Sequence, residues 1–241
     1  MKQYLIILIL ILTLQPIPAQ DFSQVNSDEF RTLITDKDGI LLDVRTTREF
    51  KNGHIPDAGN LNFYALDFRK KLTLLPDDAP IYLYCNTGYR SEKAAEFLAI
   101  NGYDNVYNLE HGIMEWELKN LPVIVDADAS PDKDNKMDPD KYYAILESES
   151  PVFIDFYAPW CGPCREMMPM IDSLKVDYHD KVRMYKVNVD ASKKLVKELQ
   201  LGSVPYLVLF ENSEIVFSRN GSVTRQELRD VFDISIQNYT K

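Results

Sequence analysis

Short apolar runs separated by polar turns recur along the first half of the chain. Residues 40–44 and 81–84 are apolar runs bounded by turn residues, a pattern typical of short buried strands. Residues 91–101 carry four apolar side chains at helical spacing and end just before Gly102. The first half is therefore predicted to alternate strands and helices.

A second alternation begins after Pro151. The apolar pattern there predicts four strands and three helices: strands at 152–157, 182–189, 206–210 and 214–218, and helices from about 164, at 192–199 and after 224. Each half of the chain thus has the pattern of an α/β unit whose sheet is mostly buried.

A polar segment separates the two halves. Residues 126–138 are rich in Asp, Lys, Ser and Pro and contain almost no apolar side chain, which is typical of a linker. Asp138 and Pro139 are predicted to begin the next helix, with proline at its first position. The expected organisation is a first domain at 22–124, a linker at 125–138 and a second domain at 139–241.

Length and composition agree with two globular domains. The chain has 241 residues, which exceeds the usual single-domain size of roughly 100 to 150 residues. Its 45% hydrophobic and 27% charged residues are typical of a folded protein. The formal net charge of -10 repels phosphate backbones, so nucleic acid is not expected as a partner.

The N-terminal residues have the order of a signal peptide. Lys2 precedes an apolar stretch at 5–14, and a segment ending in Ala19-Gln20 follows it. Residues 1–19 are therefore predicted to be a signal peptide, and the mature chain is expected in a periplasm or outside the cell. The alternative is an uncleaved membrane anchor, although the apolar stretch is about half the ~20 residues that a membrane-crossing helix needs.

Three cysteines in an exported protein could indicate a disulfide framework. Cys161 and Cys164, however, are too close in sequence to hold a fold together, and Cys85 stands alone in the other half. The C-x-x-C lies between a predicted strand and a predicted helix. Cys161 is thereby placed at a helix N-terminus, where unpaired backbone N–H groups favour a thiolate. Cys161 is predicted to be the nucleophile and Cys164 the residue that resolves a mixed disulfide.

Two other interpretations of the cysteine pair are a structural zinc half-site and an inert disulfide. Zinc would require a second pair of ligands. The three histidines form no such pair, and only Cys85 remains. Neither a metal nor another cofactor is therefore expected.

The segment around this pair, Phe156-Tyr157-Ala158-Pro159-Trp160-Cys161-Gly162-Pro163-Cys164, resembles the active-site segment of thioredoxins. Further features follow in that family's order: Asp155, Lys186, the Val204-Pro205 loop and the Asn220-Gly221 turn. The resemblance covers about 139–241. It implies a thioredoxin fold, in which helices flank a central mixed sheet.

The resemblance also implies roles for single residues. Asp155 would be a buried carboxylate that helps to deprotonate Cys164, with Lys186 close to it. Pro205 would be a cis-proline that faces the disulfide and receives substrate backbone. Trp160, Gly162 and Pro163 would also contact the substrate. The Gly-Pro dipeptide between the cysteines resembles that of reducing thioredoxins, so a reductant is expected, with an electron donor in the membrane.

The residues alone leave simpler interpretations open for three of these positions. Asp155 could be an ordinary carboxylate at a strand end, and Lys186 a solvated surface charge. Pro205 could be a trans proline that interrupts an edge strand.

The second candidate site is the segment Cys85-Asn86-Thr87-Gly88-Tyr89-Arg90, between a predicted strand and a helix. A short loop in this position can turn its N–H groups toward the cysteine sulfur and form an anion-binding cradle, to which Arg90 adds charge. Such a cradle would stabilise a thiolate or a persulfide. The alternative is a small buried cysteine at a strand end.

Several separate segments around this loop resemble the rhodanese family: Asp43-Val44-Arg45-Thr46, Glu49-Phe50, Gly53-His54-Ile55-Pro56-Asp57-Ala58, Cys85-x-x-Gly88-x-Arg90-Ser91 and Gly112-Ile113-Met114-Glu115-Trp116. The resemblance covers about 28–123 and implies a parallel-sheet α/β domain. It assigns catalysis to Cys85 and substrate binding to Gly88 and Arg90. Asp43 and Arg45 are expected to brace the loop, and His54 to be structural.

The length of the loop favours sulfur as its cargo. Phosphatase relatives of this family have five residues between cysteine and arginine, whereas four separate Cys85 from Arg90. The implied reaction is ping-pong: Cys85 takes a sulfur atom from a small sulfane-sulfur donor as a persulfide, and an acceptor then removes it.

Two functional hypotheses follow. In the first, Cys161 attacks the Cys85 persulfide, Cys164 resolves the product, and sulfide leaves. In the second, the first domain only docks a partner for a general disulfide reductase. The expected clients are disulfide-containing or persulfidated proteins.

Overall fold

The structure is a computed structural model that describes residues 22–35 and 39–239. The predicted signal peptide at 1–19 lies outside the described residues. Within the described ranges, none of the helices combines the length and the apolar character needed to cross a membrane.

The N-terminal half contains a five-stranded sheet in the order β1-β5-β4-β2-β3, and all its strand pairs are parallel. The strands are β1 (Ser23–Val25), β2 (Ile40–Asp43), β3 (Gly59–Asn60), β4 (Ile81–Tyr84) and β5 (Val106–Leu109). All four residues of β4 are buried, because helices cover both faces of the sheet. This burial accounts for the continuous apolar run at 81–84.

Five helices cover this sheet: α1 (Ser27–Thr35), α2 (Thr47–Lys51), α3 (Phe68–Leu72), α4 (Tyr89–Ile100) and α5 (Gly112–Leu118). Alternate residues of β4 join different clusters, since Leu83 packs with α3 and α4, whereas Tyr84 packs with α1 and α5. Trp116 is 2% exposed, and its indole N–H donates to the carbonyl of Pro122 at 2.8 Å.

The C-terminal half contains a four-stranded sheet in the order β7-β6-β8-β9, in which only β6 and β7 pair in parallel. Its strands are β6 (Val152–Tyr157), β7 (Arg183–Asn188), β8 (Tyr206–Glu211) and β9 (Glu214–Asn220). Its helices are α6 (Pro139–Leu146), α7 (Gly162–Asp177), α8 (Lys193–Glu198) and α9 (Arg225–Tyr239). One cluster joins α6 and α8 to the sheet, and another joins α7 and α9 to it.

The predicted α/β class, with a parallel first sheet and a mixed second sheet, is confirmed. The strands at 81–84 and 152–157 begin and end where the apolar runs do. The helix predicted at 91–101 begins two residues earlier, at Tyr89, because the preceding residue Gly88 has a left-handed backbone that ends the loop there. Pro139 is the first residue of α6, but the Asp138 side chain makes no capping hydrogen bond.

The segment between the domains is held by both of them. Toward the N-terminal domain, the carbonyl of Ser130 accepts hydrogen bonds from Arg48 Nε at 3.2 Å and from Asn52 Nδ2 at 3.1 Å. Toward the C-terminal domain, the backbone N–H of Met137 donates to Ser192 Oγ at 3.0 Å. Met137 is also buried in the C-terminal core, two residues before the predicted start of that domain. The segment 126–138 is therefore a pinned connection rather than a free tether.

Candidate active site at the domain junction

Cys161 and Cys164 lie where β6 passes into α7, and they form a disulfide. Cys161 is the N-cap of α7, and its Sγ accepts a hydrogen bond from the N–H of Cys164 at 3.1 Å. Gly162 and Pro163 are the first two residues of the helix. Backbone N–H groups in the first turn have no acceptor within the helix, so the N–H that proline lacks costs no helical hydrogen bond. The N-terminal position favours a thiolate on Cys161 once the disulfide is reduced.

Asp155 lies on the middle of β6, is 3% exposed, and has one carboxylate oxygen without a hydrogen-bond partner among the described residues. Burial raises its pKa to about 7, because a charge is costly in this apolar surrounding. The charge of Lys186 opposes that rise. Lys186 is the cross-strand neighbour of Asp155, as expected, but its ammonium forms its ion pair with Asp172, at 2.7 Å.

The Val204–Pro205 peptide bond is cis, as the resemblance implies. The carbonyl of Pro205 accepts a hydrogen bond from the N–H of Gly221 at 2.9 Å. Gly221 follows the last residue of β9 and has a φ of +96°. The predicted turn at Asn220-Gly221 thus lies beside the proline loop.

Cys85 follows β4 directly, carries a free thiol and is 1% exposed. The loop after it is held by the start of α5. The N–H of Ile113 donates to the carbonyl of Cys85 at 2.8 Å, and the N–H of Met114 donates to that of Asn86 at 3.1 Å. These two hydrogen bonds fix the backbone of Cys85 and Asn86, and with it the position of the Cys85 side chain.

Gly88 makes the sharp turn of this loop possible. Its φ is +86°, and a Cβ atom added to it would lie 1.8 Å from the carbonyl oxygen of Glu110. The carbonyl of Gly88 accepts a hydrogen bond from Ser91 Oγ at 2.9 Å. No residue with a side chain fits this position without moving the backbone of β5 or of the loop.

Arg90, on the first turn of α4, is bound by Glu49. Its two terminal nitrogens donate to the two carboxylate oxygens of Glu49 at 3.2 and 2.7 Å, and Asn86 Nδ2 donates to the same carboxylate at 2.6 Å. Burial alone would raise the pKa of Glu49, but the hydrogen bond and charge of Arg90 outweigh it, and that pKa lies below its usual value. From the sequence, Arg90 is expected to add charge to the cradle. The structure instead largely neutralises that charge with Glu49.

From the sequence, Glu49 belongs only to one of the segments that resemble the rhodanese family, and it has no expected role at the site. A local signal was present, because Glu49 stands three residues after Thr46, the spacing of a capping box. The same carboxylate accepts from the N–H of Thr46 at 3.0 Å and from Arg90. Its second function, across 41 residues of sequence, could not be read from that spacing.

Asp43 and Arg45 brace the loop through a chain of hydrogen bonds. Arg45 donates to Asp43 Oδ2 at 2.6 Å, to the carbonyl of Gly53 at 2.5 Å and to Asn86 Oδ1 at 3.1 Å. His54 stacks on Phe50 with ring centroids 3.8 Å apart, and its backbone pairs with Ile124. These contacts agree with the structural roles expected of Asp43, Arg45 and His54.

The two sites meet where Arg90 faces Trp160, the residue before Cys161. The guanidinium carbon of Arg90 lies 5.7 Å from the ring centroids of both Tyr64 and Trp160. The indole N–H of Trp160 donates to Asp190 Oδ2 at 3.0 Å. Burial raises the pKa of Asp190, although Lys193 and the Trp160 hydrogen bond oppose the shift.

Further contacts join α5 to the C-terminal domain. Lys193 Nζ lies 2.7 Å from Glu117 Oε2, and Met114 is buried in the same cluster as Cys161 and Cys164. Between the domains these contacts leave a cavity of about 460 Å³. Its wall includes Asn86 beside Cys85 and Trp160 beside Cys161. The part of the chain that the structure describes has no cluster of three or more His, Cys, Asp or Glu side chains that could hold a metal ion.

Comparisons with known proteins agree with this division of the chain. The thioredoxin family model matches residues 134–233, and the model of the rhodanese-like domain matches residues 26–119. Both resemblances are thereby confirmed, in the expected order along the chain. The parallel five-stranded domain is rhodanese-like, and the mixed four-stranded domain has the thioredoxin fold.

Thioredoxins are among the proteins that this chain resembles. The "Thioredoxin" of Rickettsia typhi is 38% identical over 92 residues, which are 38% of this chain and 88% of that protein. "Thioredoxin M-type, chloroplastic" of Spinacia oleracea is 40% identical over 95 residues, and the match spans 39% of this chain and half the length of that relative. The solved structure of mitochondrial thioredoxin 3 from Saccharomyces cerevisiae in its oxidized form is 29% identical over 40% of this chain and 90% of that chain, with a TM-score of 0.37.

Replacing Gly88 with alanine is expected to destabilise the N-terminal domain by about 3 kcal/mol or more, because the new Cβ meets a backbone oxygen and the φ is left-handed. Gly102→Ala is the matched control, since Gly102 has a φ of +92° but nothing within 4 Å of an added Cβ. Backbone strain alone should lower the free energy of unfolding of Gly102→Ala by about 1 kcal/mol. Urea unfolding of both variants measures the difference, and equal losses would contradict the close approach to Glu110.

The oxidised protein should also lose stability as pH rises from about 4 to 7, because of Asp155. The unfolded carboxyl releases its proton near its usual pKa of 3.8, whereas the folded one holds it to a pKa of about 7. Unfolding therefore releases a proton in this window, and the free energy of unfolding falls as pH rises. Asp155→Asn should be free of this loss, which is on the order of 3 kcal/mol. Denaturant unfolding at pH 4.5 and pH 7.5 tests it, and parallel pH profiles would show that Asp155 ionises normally.

Proposed function

Because the chain belongs to the thioredoxin family through its C-terminal domain and carries a rhodanese-like domain before it, we propose that its cysteine pair reduces a persulfide formed on Cys85. The thioredoxin relatives support thiol–disulfide oxidoreductase activity at Cys161 and Cys164. The rhodanese-like domain supplies the sulfur-carrying cysteine. The observation that carries the proposal is the shared cavity, whose wall includes the neighbours of both Cys85 and Cys161.

The proposed reaction has two half-reactions. In the first, the Cys85 thiolate attacks the outer sulfur of a small persulfide donor, an S–S bond to Cys85 forms, and the donor thiolate leaves. In the second, the Cys161 thiolate takes that outer sulfur, and the thiolate of Cys85 is released. Cys164 then attacks Cys161 Sγ, and sulfide leaves. The dithiol loses two electrons as it becomes a disulfide, and the sulfane sulfur gains them.

The charges around Cys85 support the first half-reaction. Burial lowers the pKa of Arg90, but the hydrogen bond and the charge of Glu49 outweigh that effect, and a thiolate on Cys85 would raise the pKa of Arg90 further. The guanidinium is therefore close enough to stabilise a thiolate or persulfide anion on Cys85. The ion pair with Glu49 weakens this stabilisation, because the carboxylate compensates part of the charge of Arg90.

The contacts across the junction support the second half-reaction. The Arg90–Trp160 contact and the Lys193–Glu117 ion pair hold the Cys85 loop and the start of α7 on the same cavity. A partner held in place reacts as an intramolecular group, and no encounter step is needed. Cys161 and Cys164 are equally buried, and their roles follow from position: Cys161 is the N-cap of α7, where a thiolate is favoured, and Cys164 lies inside the helix and is suited to resolution.

We also propose that the protein works outside the cytoplasm, after removal of residues 1–19. Its oxidised pair would then be reduced by a membrane electron donor. Persulfidated or disulfide-containing proteins would be clients only when the N-terminal domain has moved away from the cysteine pair. The apolar stretch at 5–14 and the position of Ala19 in the sequence are the support for this location.

Intact mass of the reduced mature protein after brief exposure to a small persulfide donor tests the sulfur transfer. In Cys161→Ser, one added sulfur atom should persist on Cys85, because its acceptor is missing. The wild type should lose the added sulfur, gain the Cys161–Cys164 disulfide and release one equivalent of sulfide.

Cys85→Ser is the control and should take up no sulfur at the loop. An adduct equally stable in wild type and Cys161→Ser would separate the two domains into independent enzymes. If none of the variants nor the wild type forms an adduct, the N-terminal domain is better described as a docking module for partners of a disulfide reductase.

Cell fractionation tests the proposed location. The full-length chain should appear outside the cytoplasm with an N-terminus at residue 20, and a chain lacking residues 1–19 should stay inside. An exported protein that keeps its first residues would favour the membrane anchor instead.

A further inference from the structure

The cysteine pair is screened by the domain in front of it. Cys161 is 4% exposed, and its neighbour Trp160 is partly buried against the cluster that holds both cysteines. Met114 is the one described residue of the N-terminal domain in that cluster. A side-chain carbon of Leu118 comes within 4.0 Å of the Cβ position of Gly202, three residues before Pro205. Helix α5 therefore covers the C-terminal domain close to the proline loop.

The cavity beside Trp160 has the size of a small-molecule site. Its volume of about 460 Å³ lies in the range of roughly 300–1,000 Å³ that is usual for small ligands. A loop of a folded protein needs space on both sides of its cysteine to reach Cys161 Sγ. The packing of α5 against the C-terminal domain removes that space on one side.

Most charges around the cavity are already paired. Arg45 is bound to Asp43, Arg90 to Glu49 and Lys193 to Glu117. The carboxylate of Asp190 accepts the Trp160 N–H. The three ion pairs cancel their own charges, whereas the hydrogen bond to Asp190 does not cancel the charge of its carboxylate, although burial raises the pKa of that group.

Arg165 differs from these cations. It lies on the first turn of α7, one residue after Cys164, and it lines the cavity. Its Nη1 donates to the carbonyl of Pro159 at 2.8 Å, and it forms no ion pair with any residue that the structure describes. Its positive charge is available to a ligand next to the redox pair.

We propose that the cavity between the domains binds a low-molecular-weight sulfur compound that carries a carboxylate, with Arg165 as the anchor for that carboxylate, and that protein disulfides are excluded while the domains are docked. This inference names the substrate class of the site under "Proposed function" and partly rests on it. Its test uses only the Cys161/Cys164 pair, so the result does not depend on persulfide formation at Cys85.

Exchange with a small disulfide takes two successive thiolate attacks. Reduced Cys161 attacks one sulfur of the compound, a mixed disulfide forms, and the first thiolate leaves. Cys164 then attacks Cys161 Sγ, and the second thiolate leaves. Two electrons pass from the dithiol to the compound, and the protein is left with its disulfide.

Single-turnover reduction by the pre-reduced Cys85→Ser protein measures the charge preference. The probes are the dicarboxylate dithiobis(nitrobenzoate) and the uncharged dithiodipyridine, at low ionic strength. Arg165→Ala should slow the dicarboxylate about fivefold, as expected for a partly exposed charge contact, and should leave the uncharged probe within twofold. Arg229→Ala, which removes an exposed arginine from α9, is the matched control and should change neither rate.

Insulin, a protein disulfide, measures the size preference. The Cys85→Ser protein should reduce it far more slowly than dithiodipyridine. Met114→Glu and Leu118→Asp, which put a charge into the α5 contact, should each speed insulin reduction at least fivefold and leave the uncharged probe unchanged. Leu118 is only half-buried, so its variant should keep its fold even if the Met114 variant does not.

Several outcomes would overturn the proposal. Arg165→Ala could slow both small probes equally or neither of them. The starting protein could reduce insulin as fast as dithiodipyridine, or a folded Leu118→Asp protein could gain nothing on insulin. Failure of the proposed persulfide transfer would appear separately, as the absence of a sulfur adduct on Cys85 in a protein that still shows both preferences.

Discussion

The junction of the two domains depends on one buried ion pair. Arg90 and Glu49 both lie out of water, and a charge in such a place is tolerated only if its partner and further hydrogen bonds compensate it. Asn86 supplies one of those bonds, and the rings of Tyr64 and Trp160 flank the guanidinium. Asn86 follows Cys85 in the chain, and Trp160 precedes Cys161. The groups that compensate this ion pair are therefore the direct neighbours of both cysteines. The contact of Arg90 with Trp160 thus joins the two units, together with the Lys193–Glu117 ion pair and the burial of Met114 in the C-terminal core.

The sequence predicted those parts of the structure that depend on neighbouring residues. The strand at 81–84, the strand at 152–157 and the start of a helix at the C-x-x-C all follow from local apolar runs and from the residues that end them. The loop around Cys85 was also expected in its correct place, since strand, cysteine, glycine and helix follow one another within a few residues. Local order of this kind is encoded in spacing, and spacing is visible in a single sequence.

Contacts between distant residues could not be predicted in this way. Glu49 reaches Arg90 across 41 residues, and Trp160 reaches Arg90 across the domain boundary. Lys186 was expected beside Asp155 and does lie opposite it, yet its ion pair is made with Asp172 of α7. Which carboxylate pairs with Lys186 depends on how far its flexible side chain reaches in the folded protein. The polarity of 126–138 indicated a linker, but the hydrogen bonds that fasten it on both sides depend on groups of two folded domains.

The presence of both sites on one chain, with a fastened connection, has consequences for how fast they meet and for how the molecule behaves on dilution. Two sites on a loose tether meet with a frequency set by tether length, and each meeting costs freedom of motion. Here hydrogen bonds of Ser130 and Met137 hold the connection to the two domains. Most of the conformational entropy that the connection loses is therefore lost once, when the chain folds. Because both sites belong to one chain, any exchange between them is first order in protein, and the fastened connection adds that the two sites need not search for each other. The exchange proceeds at the same rate in a sparse compartment as in a crowded one, and a second copy of the chain gains no advantage as a partner.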